Sequence, residues 1–224
     1  KHALHLTHFT MHIKELIQAC YNGSSEMVNQ FSNAVITFLF NIILMRLAGP
    51  NGVAAITILL YGQFLFNAFY LGFSIGISPI VGYQYGAGNR KELKRIYRIS
   101  FRFVSISSVI IAFAAVYLSS GIVTIFTDDP KTHALAVTGF GIFAYNFLFS
   151  GFNIASSGFF TALSDGKSSA IISFCRTLLF TVISLLVLPR FFGVNGAWLA
   201  IPVAEFVTLL LSIWMHRKYL YRFI

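Results

Sequence analysis

This sequence predicts an all-α integral membrane fold with six transmembrane helices, and three observations carry the prediction. Six apolar stretches of about twenty residues fill the chain, each long enough at about 1.5 Å per residue to cross a hydrocarbon core of about 30 Å. Polar side chains recur along three of the stretches at steps of three and four, the spacing that stacks residues on one helical face. Lysine and arginine gather on alternate connections, as a chain winding through a bilayer requires. Composition agrees: of 224 residues 57% are hydrophobic and 10% charged, and the mean hydropathy is +0.76, well outside the range of ordinary soluble domains. Helices follow rather than an open sheet, because lipid satisfies no unpaired backbone group.

Residues 1–21 differ in character from the rest. His2, His5, His8 and His12 fall near one side of a possible helix, opposite Leu4, Leu6, Phe9 and Ile13. That pattern reads as a cytoplasmic amphipathic linker lying on the membrane surface, with a metal site as the rival reading. The first residue is Lys rather than Met, and with a linker in front the expectation is a chain that begins inside a longer protein. Residues 22–219 form the six-helix lobe, with spans near 25–47, 54–79, 99–125, 134–162, 169–189 and 196–216, and residues 220–224 form a cytoplasmic tail. Pro79 and the glycines from Gly82 to Gly88 end the second span ahead of a basic loop.

The polar stripes run Glu26, Gln30, Asn33, Thr37, Asn41 in the first span, then Gln63, Asn67, Tyr70, Ser74, Ser78 in the second, and Asn146, Ser150, Asn153, Ser157 in the fourth. Inside hydrocarbon such a face must meet another helix or a water-filled cavity, which points to transport. Interhelical hydrogen bonding accounts for single residues and a cavity for the set. Glu26 suits the first turn of a helix, where the dipole favours an acid, and a cationic substrate entering from the cytoplasm would also meet it early.

With residue 1 cytoplasmic, the inner segments carry Lys1, Lys14, Arg90, Lys91, Lys94, Arg95, Arg98, Lys167, Arg217, Lys218 and Arg222, and the outer loops carry Lys131 and Arg190. Both ends are then cytoplasmic, in a multi-pass protein of the plasma membrane. Topology thus explains the net charge of +9, with acidic headgroups as its partners and no call for nucleic acid. Two charges lie deep inside spans, Arg176 and Glu205, at depths of about 12 to 16 Å. They are placed to pair across antiparallel helices, either as a structural ion pair or with Glu205 exchanging Arg176 for a proton or Na⁺.

Enzyme spellings fail on context. Gly72-Phe73-Ser74-Ile75-Gly76 sits in an apolar helix with no strand before it, so it reads as small-residue helix packing rather than a nucleophile elbow. Gly166-Lys167-Ser168 lacks the glycine a phosphate loop needs five positions earlier, where Thr161 stands. Cys20 and Cys175 offer neither a disulfide nor a metal spacing. No covalent catalysis and no cofactor are expected, and uphill transport would draw on an ion gradient.

Gly49-Pro50-Asn51-Gly52-Val53-Ala54-Ala55, the run from Gly72 through Pro79, Gly82 and Gly86 to Asn89, the segment Gly158 to Gly166, and Gly193-Val194-Asn195-Gly196-Ala197-Trp198 together resemble the second half of the multidrug and toxic compound extrusion (MATE) transporters. The resemblance implies one lobe of a twelve-helix, two-lobed protein, its partner being an amino-terminal six-helix lobe or a second copy. It also implies export of organic cations or amphipathic small molecules in exchange for Na⁺ or H⁺, by rocking of the lobes. Some members hold a cation with acids in the first and fourth spans of this lobe, where this chain has Ala34 and Ser150. A lipid-linked saccharide flippase of the same superfamily and a non-transporting membrane scaffold are the alternatives.

Overall fold

Glycine and proline decide where the helices bend. The computed structural model describes residues 13–219, with the side chains of 14–30 outside the description; the histidine-bearing segment 1–12, the tail 220–224, and the side chains of Cys20, Glu26 and Gln30 therefore lie outside the described residues. Helix α1 (Ile13–Gly86) is helical throughout except at Gly49, whose φ of 66° and ψ of −157° join two helices across a kink. That combination is open essentially to glycine alone. Helix α6 (Phe180–Tyr219) bends the same way at Gly193, with φ 57° and ψ −133°. Each bend carries the same four-residue pattern, glycine, any residue, asparagine, glycine, and in each the second glycine seats against the preceding arm. A Cβ on Gly52 would come 2.7 Å from the Ala48 Cβ, and one on Gly196 would run into the Leu188 backbone.

Between these long elements lie α2 (Arg90–Phe126), α3 (Pro130–Phe143), a single 3₁₀ turn at Ala144–Asn146, α4 (Phe147–Ala162), α5 (Gly166–Phe174) and one π-helical turn at Cys175–Leu179. Capping side chains set the starts. Asn89 accepts from the Glu92 backbone N–H at 3.2 Å. Asp129 accepts from that of Thr132 at 2.7 Å, with Pro130 at the first helical position. The Thr132 bond holds the exposed Asp129 carboxyl below its ordinary pKa. Asp165 accepts from the Ser168 N–H at 3.2 Å and its hydroxyl at 2.7 Å, so Gly166-Lys167-Ser168 is the capped start of a helix.

Three expectations change. The second span does not stop at Pro79: α1 continues to Gly86, because in lipid neighbouring helices tolerate a proline that would break a helix in water. The basic loop is in fact the first turns of α2, where Arg90, Lys91, Lys94, Arg95 and Arg98 ride on a capped helix. Gly72 and Gly76 face open space rather than a helix. Ser74 lies between them, about 200° round the helix from either, and it is Ser74 that meets Gly158 of α4. The close approaches between helices run through Gly158 and Gly151 of α4, the latter under the Tyr70 ring, through Gly139 of α3 against Trp198 and Leu59, and through Gly62 of α1 against the Phe140 ring.

Helix α4 is the hub, packing on α1, α2, α5 and α6. The main core gathers Phe40, Leu44, Ile56, Leu59, Phe140, Phe143, Phe147 and Trp198 around its start. Among the described residues, four helical stretches are long and apolar enough to cross a membrane: Phe31–Gly86, Arg90–Phe126, Pro130–Ala162 and Gly166–Tyr219, of 56, 37, 33 and 54 residues. The first and last exceed the roughly twenty residues one crossing needs, and each contains a glycine bend. This is an all-helical, multi-pass membrane protein.

Candidate functional site

A cavity of about 620 Å³ opens between the two arms of α1, α4, the α5 to π-turn segment and the second arm of α6. Asn33 and Thr37 from the first arm of α1, with Gln63, Asn67 and Ser74 from the second, give one wall that is polar and uncharged. Ser157 of α4, Ser173 of α5, Arg176 and Thr177 of the π turn, and Thr181 and Glu205 of α6 give the other.

The charged wall is built around Glu205, which is 4% exposed. One carboxylate oxygen, Oε1, lies 3.5 Å from Arg176 Nε. The other accepts from Asn153 Nδ2 at 2.7 Å, and the same amide nitrogen donates to the Glu205 backbone carbonyl at 2.9 Å. Asn153 is fixed in turn by the Ser212 hydroxyl, which donates to Oδ1 at 3.0 Å. Each carboxylate oxygen therefore has its own partner, as a charge taken out of water requires. Local sequence places both charges. Pro202, one turn before Glu205, removes a backbone donor from α6. Arg176 sits in the π turn, where an extra residue shifts the helical register; its carbonyl accepts from the Thr181 hydroxyl at 2.8 Å, five residues on.

Of the residues singled out in the sequence, the structure brings Asn33, Gln63, Asn67, Arg176 and Glu205 to the cavity. Asn153 stands immediately behind Glu205, and Ser150 stands behind Asn67, donating to its Oδ1 at 3.2 Å. Tyr70, Asn146 and Asn41 do not line it. Tyr70 is buried at the α1–α4 contact, its hydroxyl donating to the Phe147 carbonyl at 3.2 Å. Asn146 is buried in the core, donating to the Phe143 carbonyl at 2.6 Å while its Oδ1 has no partner. Asn41 is half-buried on the first arm of α1.

A fourth stripe escaped the sequence reading although its spacing was there to see: Ser169, Ser173, Thr177 and Thr181, at steps of four. Ser157 reaches across from α4 to meet the Ser173 hydroxyl at 2.8 Å and that of Ser169 at 2.9 Å. Among the described residues no cluster of three or more His, Cys, Asp or Glu side chains could hold a metal. The cavity thus offers hydroxyls, amides and one charge pair beside apolar side chains such as Ile36, Phe64 and Leu71, a lining suited to a polar or amphipathic solute.

Comparison with known proteins gives the same picture. No curated protein sequence matches the chain. Solved structures match in fold at 18% identity. An outward-facing multidrug resistance MATE family transporter of the MOP superfamily superposes with a TM-score of 0.84, over 98% of this chain and 50% of that one. A MATE transporter in complex with MaL6 gives 0.82, over 90% and 46%. A MOP superfamily transporter from Pyrococcus furiosus, described by the reverse polarity of its binding pocket, gives 0.80, over 88% and 44%. The chain spans about half the length of these structures. The MatE family model matches residues 27–186, more than half of the sequence and all of the neutral cavity wall, and the chain therefore belongs to the MatE family of membrane transporters.

Proposed function

We propose that this chain is one lobe of a two-lobed secondary transporter, and that it exports organic cations or amphipathic compounds in exchange for Na⁺ or H⁺. The observation that carries the reading is Glu205 at the cavity wall, clasped by Arg176 on one oxygen and Asn153 on the other. Membership of the family and coverage of half the length of the matched structures support a second lobe facing this one. The glycine bends support six crossings with both ends cytoplasmic, one bend dividing each of the two longest helical runs.

The charge pair supplies a physical reason for exchange. With Glu205 ionised and paired, the wall is neutral and a cationic solute meets no repulsion. When Glu205 takes a proton or Na⁺, the Arg176 charge is no longer compensated, and a cationic solute in the same low-dielectric cavity is disfavoured. Ion and solute then exclude one another, which is what antiport requires. A flippase for lipid-linked saccharides would need surplus positive charge in the cavity. The cation among the described lining residues, Arg176, is already paired.

The test is the full-length protein in liposomes, with solute-dependent fluorescence quenching under an imposed Na⁺ or pH gradient. Glu205→Gln, which keeps an acceptor for Asn153, should lower gradient-driven exchange more than it lowers the yield of folded protein. Equal loss of fold and exchange would reduce the pair to a structural ion pair and remove the proposal.

A further inference from the structure

A second cavity, of about 300 Å³, lies away from the first, with α4 as its floor, α2 as one wall and the end of α6 as the other. Tyr97 and Phe101 come from α2, Phe152 from α4, and Ser212, His216 and Arg217 from α6. His216 is boxed by rings, with centroids 5.5 Å from Tyr97, 5.2 Å from Phe101 and 4.9 Å from Phe160. Both of its ring nitrogens are shielded from solvent and neither has a hydrogen-bond partner. Two orphaned polar atoms at one buried site are unfavourable unless something else supplies their partners.

Arg217 stands exposed at the mouth, in the last turn of α6, and pairs with no carboxylate among the described residues. Ile213 and Trp214 beside it are exposed apolar side chains of a helical run apolar and long enough to cross a membrane. The occupant must therefore be apolar in its body, to sit among Phe101, Phe152 and Ile213, and anionic at its head, to meet Arg217. A lipophilic cation would suit the rings but meet the uncompensated guanidinium.

We propose that this groove is a binding site for one anionic phospholipid, with an acyl chain on the Phe101–Phe152 floor and the phosphate at Arg217. The site also touches the transport cavity through side chains, because Ser212 lines the groove and holds the Asn153 amide that holds Glu205. The inference does not depend on which solute or ion the cavity carries.

Native mass spectrometry of the full-length protein in detergent, titrated with phosphatidylglycerol or phosphatidylcholine, tests it. One phosphatidylglycerol should be retained in preference to phosphatidylcholine, and Arg217→Gln should weaken its retention about fivefold, the effect of one basic side chain at an anionic headgroup. Lys218→Gln removes the same charge one residue away, where the ammonium lies 4.6 Å over the Trp214 ring, and should leave retention unchanged. Phe152→Trp, which fills the floor, should abolish it. Equal losses in Arg217→Gln and Lys218→Gln would mean diffuse attraction and no site. Equal retention of the two lipids, or the same stabilisation by inorganic phosphate, would overturn the assignment to an anionic lipid.

Discussion

The two walls of the larger cavity are built on different principles. The α1 wall presents Asn33, Thr37, Gln63 and Asn67 as separate polar groups on a helical stripe, and among the described residues Asn33 and Gln63 have no hydrogen-bond partner. The opposite wall is a connected network, Arg176 to Glu205 to Asn153 to Ser212, buried across three elements. Separate groups leave their donors and acceptors for water or solute. A connected network uses them on itself and converts the loss of any member into a cost for the rest. Under the proposed function the first wall would read the solute and the second would hold the helices together, and mutation should separate them.

The largest effect belongs to Glu205→Ala. It leaves the Arg176 guanidinium in a low-dielectric wall with no counter-charge, and breaking a buried pair from one side costs about 3 to 5 kcal/mol. Thermal unfolding in detergent should show a large drop, and the double variant with Arg176→Ala should recover part of it, since removing both charges removes the uncompensated one. Additive losses in the double variant would mean that the pair, 3.5 Å apart, is not coupled.

A smaller effect separates two asparagines that look alike in the sequence. Asn146 and Asn153 are two turns apart on the same stripe and both are fully buried. Asn153→Ala strips Glu205 Oε2 of its neutral donor and Ser212 of its acceptor, which should cost about 2 kcal/mol. Asn146→Ala loses one local bond to the Phe143 carbonyl and also removes an orphaned oxygen, so about 1 kcal/mol or less is expected. Paired unfolding measurements would put the order the wrong way round if the network were an accident of packing.

This pair of asparagines also shows what the sequence could and could not disclose. Helices and their polar faces were legible because a 3.6-residue period is a local property. Arg176 and Glu205 were legible as partners because a charge inside a span demands one. Nothing local distinguishes Asn153 from Asn146: the difference is made by α6, whose Glu205 and Ser212 lie more than fifty residues further on. The end of α1 was misjudged for a related reason. Pro79 would break a helix in water, but in a bundle the neighbouring helices re-satisfy the backbone and α1 runs on to Gly86, whereas the break expected between residues 47 and 54 is there, at Gly49. The π turn at Cys175–Leu179 leaves no local mark in the sequence, whereas the hydroxyl stripe through Ser173, Thr177 and Thr181 keeps a four-residue spacing that is legible.

The smallest effects on stability, and the sharpest on selectivity, belong to the neutral wall. Asn33→Ala and Gln63→Ala remove groups that hold up nothing else in the lobe, so unfolding should move by no more than about 0.5 kcal/mol. Asn67 tests the boundary between the walls. It faces the cavity beside Gln63, one turn along the same arm, yet it also accepts the hydroxyl of buried Ser150 at 3.2 Å. Asn67→Ala should therefore destabilise by about 1 kcal/mol more than Gln63→Ala, the worth of one hydrogen bond whose buried donor is left alone, while both shift the order in which a panel of organic cations is transported. If the two variants unfold alike and only Asn67→Ala alters selectivity, the Ser150 bond contributes little and the neutral wall reads solutes through Asn67 alone. If neither alters selectivity, the α1 stripe is not the solute-facing wall, and that role passes to the hydroxyls of Ser157, Ser173 and Thr177 on the opposite side.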